Sequence, residues 1–343
     1  MDGTAMGTEV RRAVVTGTNG QDGSYLCEQL ANAGIDVWGV VRPGGAPSDP
    51  RGTVGGEALS TEQVRVSPSR GTRELDVRDS SGLRRLLSEV RPHYVFHLAG
   101  ISSVAASWQD PVLVADVVGT GTVNVLAECL RLQDTEGHRV TVVNASSAEI
   151  FAGVTSSPQN ESSPLVPTSP YGAAKAFGHS VAQVMRTRGL GVSNAILYNH
   201  ESPRRPEKFV TRKITSTVAA IAQGKAEKLE LGNISVRRDW GWAPDYVDAM
   251  VRMAVGGHSE DFVIGTGVSH SIEEFVSEAF RVVGIEEYRP YVVSNPDLVR
   301  PADAHELIAC PKKAKEVLGW TATVGFSSLI ERMVKSDLTN LSK

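Results

Sequence analysis

Tyr171 and Lys175 stand four positions apart in the run Ser169-Pro170-Tyr171-Gly172-Ala173-Ala174-Lys175, a spacing that puts both side chains on one face of a helix. A lysine ammonium beneath a phenol favours the phenolate, drawing its pKa from about 10 toward neutrality. Such a phenol can take a hydroxyl proton while hydride leaves the same carbon. Upstream, the run Asn144-Ala145-Ser146-Ser147-Ala148-Glu149 ends a strand-like segment. If the chain stays extended there, Ser147 and Glu149 project to the same side. Ser147 can then hydrogen-bond a reacting oxygen while Glu149 handles a proton at the neighbouring carbon.

Placing these groups together requires a scaffold. Apolar, largely β-branched runs at Ala13 to Thr16, Val37 to Val41, Tyr94 to Leu98, Val140 to Ala145 and Ser193 to Tyr198 predict parallel strands covered on both faces. A short run at Glu74 to Val77 predicts the third strand in sequence. Amphipathic segments at Tyr25 to Ala33, Gly82 to Val90, Val114 to Leu132 and Tyr171 to Arg188 alternate with the strands. The expected fold is α/β, a doubly wound parallel Rossmann sheet followed by a smaller, mixed C-terminal substrate domain. Residues 1–9 read as a tail, 10–199 as the dinucleotide-binding domain and 200–343 as the substrate domain, with parts of 237–265 returning to the first. Within the latter, Phe209 to Gln223 and Ser271 to Val283 predict helices, the second opened by a Ser271/Glu274 capping box. The Gly/Ser/Pro-rich stretch Pro43 to Ser69 predicts a long loop.

Between the first strand and first helix lies Thr16-Gly17-Thr18-Asn19-Gly20-Gln21-Asp22-Gly23. Three glycines at this spacing let backbone amides and a helix N-terminus approach a pyrophosphate. The cofactor candidates here are Gly17, Asn19, Gly20, Gln21, Asp22 and Gly23. The second strand ends in Val40, Val41 and Arg42, with no carboxylate to accept both ribose hydroxyls. That favours NADP over NAD, with Arg42 pairing the 2'-phosphate. Leu98, Ala99 and Gly100 end the fourth strand with groups small enough for backbone to pass the cofactor, and His97 reads as a core histidine.

The composition narrows the function classes. The 343 residues are 41% hydrophobic and 22% charged with a formal net charge of -4, which supplies no basic field for nucleic acid or an anionic membrane. Cys27, Cys129 and Cys310 are scattered without a CxxC pair, so neither a disulfide framework nor a metal site is expected. With no signal-peptide run in Met1 to Glu9 and no stretch of eighteen apolar residues, a cytoplasmic enzyme with a small-molecule partner is expected.

Thr16 to Gly23, Ser147, Tyr171 and Lys175 together resemble the extended short-chain dehydrogenase/reductase family. More narrowly, Asn199-His200-Glu201-Ser202-Pro203-Arg204-Arg205, Phe209-Val210-Thr211-Arg212-Lys213-Ile214 and Arg237-Arg238-Asp239-Trp240-Gly241 look like signature runs of the GDP-mannose 4,6-dehydratases. The likeness extends over roughly residues 10 to 335. It implies catalytic positions at Ser147, Glu149, Tyr171 and Lys175, and cofactor contacts that add Asp76 and Val77, an adenine-holding dipeptide. It further implies substrate positions at Ser102, Asn199, Glu201, Arg204, Lys213, Arg238 and Arg300. Arg204, Arg205, Arg212, Lys213, Arg237, Arg238 and Arg300 would give a GDP-sugar diphosphate ample cation. The implied reaction oxidises carbon 4 of the sugar, eliminates water across carbons 5 and 6, and returns the hydride to carbon 6, with NADP regenerated. Relatives assemble as homodimers or homotetramers, and the Pro43 to Ser69 loop could reach a neighbouring subunit's cofactor.

Several residues depart from the family's pattern. Gly100-Ile101-Ser102-Ser103 replaces Ala-Gln-Ser-His, Ile150-Phe151-Ala152 replaces Leu-Tyr-Gly, and Trp242 stands where His is common. His305 and Cys310 occupy positions that are often Asp, and Pro43 replaces a second Arg. Loss of polar side chains near the sugar bears on which hexose is accepted. An NADP-dependent nucleotide-sugar epimerase or 4-keto reductase would keep the Ser/Tyr/Lys centre, and Glu149 is the residue that separates those chemistries from a dehydratase.

Overall fold

The computed structural model describes residues 10–44, 68–299 and 306–342. Arg300, Pro301, His305 and most of the Pro43 to Ser69 segment lie outside the described residues, as do Met1 to Glu9.

Seven strands form one parallel sheet: β1 (Arg12–Thr16), β2 (Asp36–Val41), β3 (Thr72–Glu74), β4 (Tyr94–His97), β5 (Thr141–Ser147), β6 (Gly191–Leu197) and a late strand at Asp261–Ile264. The remaining strands are β7 (Asn199–Glu201), β8 (Leu229–Leu231) and β9 (Arg237–Trp242), then β10, the Asp261–Ile264 strand, β11 (Ser269–Ser271), β12 (Val292–Ser294) and β13 (Glu306–Leu307). The large sheet runs β10-β6-β5-β4-β1-β2-β3. Strand order therefore reverses between β1 and β4, opening a crevice beyond their carboxyl ends.

Both faces of the sheet are covered, which is why its strands are continuously apolar. On one side Leu26 and Leu30 of the helix Gln21–Asn32 and Met250 and Met253 of the helix Ala243–Val255 join Phe96, Val143 and Phe262 in one core. On the other, Leu83, Leu86, Leu126 and Ala182 pack on Val14, Val95 and Val142. The helix Pro111–Glu136 is long and apolar enough to cross a membrane, with mean hydropathy 1.5 over its most apolar eighteen residues, yet half of that window is buried against the rest of the fold. A third core, around Trp240, Phe275, Phe280, Leu329 and Met333, sits in the C-terminal part. There β9 joins β7 and β13 in parallel and β11 antiparallel, while β8 pairs β12.

Two local expectations shift. The third strand falls at Thr72–Glu74, earlier than Glu74 to Val77, because Asp76 bonds Arg78 and Asp79 caps the next helix through Gly82 N at 2.9 Å, so the chain has already turned. Only half of the capping box forms: Ser271 Oγ accepts from Glu274 N at 3.0 Å, but the Glu274 carboxylate is drawn to Arg237 and His270.

Candidate active site

A cleft of about 500 Å³ lies across the switch point, walled on one side by the glycine turn and on the other by residues 197–200 with Arg205, Pro206, Lys208 and Phe209. Gly17 sits at φ +78°, where a side chain would be strained, and a Cβ there would come within 3.0 Å of Ala99 N. At Gly23 an added Cβ would meet the Gly17 carbonyl oxygen at 2.3 Å. These two positions must be glycine for the helix N-terminus to close on the strand end and leave room for a phosphate pair. Asn19, Gly20, Gln21, Asp22, Leu98, Ala99 and Gly100 line the same wall, and Thr16 Oγ1 accepts from both Leu98 N and Ala99 N at 3.1 Å. Exposed Arg42 follows β2, with Asp76 and buried Val77 beside it. Backbone glycine, an outer cation and no ribose-binding carboxylate after β2 fit a phosphorylated dinucleotide. The Asp76 carboxylate itself is engaged by Arg78 at 2.7 Å, which lowers its pKa.

At the cleft's centre the helix Pro170–Thr187 begins with Ser169 Oγ accepting from Gly172 N at 3.1 Å and Pro170 in the first turn, which fixes where Tyr171 starts. Tyr171, Lys175, Ser147 and Glu149 all line the cleft. β5 ends at Ser147 and a short 3₁₀ turn, Ala148–Phe151, carries Glu149, so the segment is not extended throughout as expected. Ser147 Oγ accepts from Glu149 N at 3.2 Å, and the tightened turn still leaves both side chains facing the same space. A Cβ on Gly172 would lie 2.7 Å from the Glu149 carbonyl oxygen and 3.1 Å from Pro167, so this glycine sets the approach of the Tyr171 helix to the Glu149 turn. Gly172→Ala should therefore cost about 1–3 kcal/mol through overpacking and lower turnover, which paired thermal melts and rate assays would check; an unchanged rate would show the approach has slack.

The electrostatics correct one expectation. Burial pushes the Tyr171 phenol up to about 12, opposed by its hydrogen bond with Ser147 and reinforced by the Glu149 carboxylate. Lys175 does not draw it down: its Nζ lies 6.0 Å from the Tyr171 ring centroid and donates to the Ala145 carbonyl at 2.6 Å. Burial lowers Lys175 to about 8, against an opposing pull from Asp22. The ammonium is anchored to β5 through the Ala145 carbonyl. His97 is a core histidine, held by Thr16 Oγ1 at 2.9 Å and Thr122 Oγ1 at 3.1 Å, with burial lowering its pKa to about 3.

Asn199 and Ser102 line the cleft, whereas Glu201, Arg204, Lys213 and Arg238 do not stand among its walls. Arg204 pairs with Glu28 at 2.7 Å and lies 3.9 Å from the Tyr25 ring centroid. Buried Glu201 accepts from Thr211 Oγ1 at 2.7 Å and pairs with Arg205 at 3.2 Å. Arg238 is 5% exposed and donates to the Arg237 carbonyl at 2.7 Å. Of the other cations read from the sequence, Arg212 pairs with buried Asp337 and Arg237 with Glu274 and Glu306. Arg205 does reach the cleft, its guanidinium 3.8 Å from the Phe209 ring centroid. Lys208, Phe209, Pro206 and His200 line it too, all missed as site residues. Pro206, Lys208 and Phe209 carry a sequence signal in the Arg-Arg-Pro-Glu-Lys-Phe run between the two signature stretches, and His200 lies within the first of them. Ser103, one of the departures, accepts from Ala106 N at 3.2 Å and so caps a helix. Among the described residues no group of three His, Cys, Asp or Glu is placed to hold a metal, and Cys27, Cys129 and Cys310 are free thiols.

A glycine turn at the switch point of a doubly wound sheet, facing a tyrosine and lysine one helical turn apart, defines an extended short-chain dehydrogenase/reductase, a class of NAD(P)-dependent enzymes. A UDP-glucose 4-epimerase from Thermotoga maritima, solved with UDP-glucose, matches with a TM-score of 0.80 at 25% identity, covering 96% of this chain and 99% of that one. The sequence is closer to other proteins. The family model for GDP-mannose 4,6 dehydratase matches residues 14–333. GDP-mannose 4,6 dehydratase 1 of Arabidopsis thaliana is 40% identical over 334 residues, spanning 95% of this chain and 89% of the relative. GDP-mannose 4,6 dehydratase 2 of the same plant is 39% identical over 333 residues, 95% and 86% of the two chains. The chain belongs to the GDP-mannose 4,6-dehydratase family.

Proposed function

We propose that the protein is an NADP-dependent nucleotide-sugar 4,6-dehydratase acting on GDP-mannose or a close GDP-hexose. The observation that carries this reading is the placement of Glu149 in the same cleft as Ser147, Tyr171 and Lys175, close enough for its carboxylate to raise the phenol's pKa. Family membership supports the substrate class. In this reading residues 10–199 hold the dinucleotide and the later part of the chain, less the strand that rejoins the sheet, holds the sugar nucleotide.

When bound, NADP would supply the hydride acceptor and later donor. The chain's own groups then divide the work. Tyr171 takes the proton of the carbon-4 hydroxyl, and Ser147 donates a hydrogen bond to the same phenol or to the reacting oxygen. Lys175 keeps a positive charge under the site at neutral pH, since its lowered value of about 8 still leaves it mostly protonated. Once carbon 4 is a ketone the proton on carbon 5 is acidified, and Glu149 removes it and passes it to the departing carbon-6 hydroxyl, which leaves as water. Arg205 and Lys208 face the cleft where a diphosphate would lie. Substrate contacts from Asn199 and Ser102 fit this arrangement, whereas Glu201, Arg204 and Arg238 support it from behind the wall.

The test is conversion: purified protein with NADP+ should turn GDP-mannose into a 4-keto-6-deoxy product with no net change in cofactor. Net consumption of NADPH, or product isomeric with substrate, would favour a 4-keto reductase or an epimerase instead. Arg42→Ala should raise the Kd for NADP+ about tenfold while leaving that for NAD+ within about twofold, measured by titration, because the guanidinium meets only the extra phosphate. Equal losses for both dinucleotides would remove Arg42 from that role.

A further inference from the structure

We propose that Asp22 and His200 form a charge-cancelling pair that sets the affinity of the glycine turn for a dinucleotide and makes that affinity fall as pH rises. The inference rests on reading the turn as the dinucleotide site, and assigns a positioning and charge-balancing role to two residues outside the Ser147/Glu149/Tyr171/Lys175 centre.

Asp22 sits in the first turn of the helix Gln21–Asn32, next to Gly23, and lines the cleft. Its Oδ2 lies 2.8 Å from His200 Nε2. The other ring nitrogen, Nδ1, lies 2.7 Å from the Tyr198 carbonyl oxygen. A backbone carbonyl only accepts, so Nδ1 carries a hydrogen; a carboxylate at neutral pH also only accepts, so Nε2 carries one as well. Two acceptors at hydrogen-bond distance make the ring an imidazolium. It is held in place by stacking on Tyr246, 4.7 Å between centroids at 25°. Gln21 completes the clamp: its Nε2 donates to the His200 carbonyl and to Asp22 Oδ1, both at 3.1 Å, and its Oε1 accepts from Ser202 Oγ at 2.8 Å.

The charges around the pair have defined signs. Burial, the largest cause, disfavours both ions, yet attraction and hydrogen bonding between them outweigh it, holding the Asp22 carboxyl below its usual range and the His200 imidazolium above its own. Arg205 opposes the imidazolium and supports the carboxylate. Tyr171 and Lys175 both feel the Asp22 charge. A carboxylate placed beside a turn built for two phosphates repels them unless something cancels it, and His200 is positioned to do so. Because both ring nitrogens face acceptors and the pKa is raised, the imidazolium persists to higher pH than a free imidazole would and is lost as pH climbs through the raised value. Beyond that point Asp22 stands uncancelled beside the phosphates.

The experiment is a titration of NADP+ into the full-length protein, followed by tryptophan fluorescence or calorimetry, from about pH 6 to about pH 9. Wild type should lose about fivefold or more in affinity across the range. His200→Gln, which keeps a donor but no charge, should bind about tenfold more weakly at neutral pH and keep only the residual slope that Lys175, with its pKa of about 8, imposes on the cleft. Asp22→Asn should bind more tightly than His200→Gln and show the same residual slope, and the Asp22→Asn/His200→Gln double variant should recover most of the affinity lost in His200→Gln. Rescue of this kind is not available to residues that merely fill space, and thermal melts would confirm that each variant is folded. Should His200→Gln fail to fold, Asp22→Asn alone decides, since its pH dependence must shrink to the residual slope from Lys175. A double variant as weak as His200→Gln, or an unaltered pH dependence in Asp22→Asn, would overturn the proposal. Failure of the wild-type chain to bind NADP+ at any pH would overturn the reading of the turn itself, and the pair's role with it.

Discussion

Tyr171→Phe should lower kcat by about 10³-fold, within the range that a positioned acid or base contributes, with oxidation and product formation falling together. The loss is expected to be large because, in the proposed mechanism, the phenol takes the carbon-4 hydroxyl proton as hydride leaves, and every later step depends on the ketone so formed. The phenol is raised to about 12 by burial, so removing it eliminates a group that must give up its proton and recover it within each turnover, not a group already ionised. Phe fills the same buried space, and the polar partner lost is the Ser147 hydrogen bond, so the variant should remain folded by thermal melt. Steady-state turnover of GDP-mannose checks the expectation, and a loss of less than about tenfold would place the base elsewhere.

Glu149→Gln separates the two halves of the reaction. In the proposed mechanism oxidation at carbon 4 uses Tyr171 and Ser147, which the substitution leaves in place, whereas loss of water uses a base at carbon 5, which glutamine is not. Product formation should fall by about 10²–10⁴-fold while reduced cofactor builds up toward one per active site, read by its near-ultraviolet absorbance after rapid mixing. Removing the carboxylate also lifts a negative charge that raises the Tyr171 pKa, so the oxidation half should be no slower than in wild type. A variant that dehydrates normally, or that fails to reduce cofactor at all, would contradict the assignment.

Much of this arrangement was legible before any coordinates, and the reasons are specific. The β-branched runs became strands because burial on both faces demands uninterrupted apolar sequence, and Gly17 and Gly23 pointed to the turn because no side chain fits against Ala99 N or the Gly17 carbonyl. Tyr171, Lys175, Ser147 and Glu149 line one cleft because their elements were correctly ordered along the sheet. Spacing alone could not reveal that Lys175 would bond the Ala145 carbonyl, since that depends on how deeply the helix sinks beside β5. Nor could the sequence sort the arginines: Arg204, Arg212 and Arg237 find acids from distant segments, Glu28, Asp337 and Glu306, while Arg205 turns to the cleft beside Phe209. Such pairings are set by tertiary contact, which charge counting does not see. His200 was passed over for the same reason, its partner Asp22 lying far away in the chain.

The central claim is that one cleft carries out an internal transfer, with hydride leaving carbon 4 and returning to carbon 6 of the same sugar while Glu149 exchanges the proton at carbon 5. GDP-mannose deuterated at carbon 4, turned over with catalytic NADP+ in ordinary water and followed by NMR, measures this directly. Deuterium should appear at carbon 6 of a 4-keto-6-deoxy product, with none retained by the cofactor pool. Deuterium returned to carbon 4, or left on cofactor consumed in proportion to product, would contradict it.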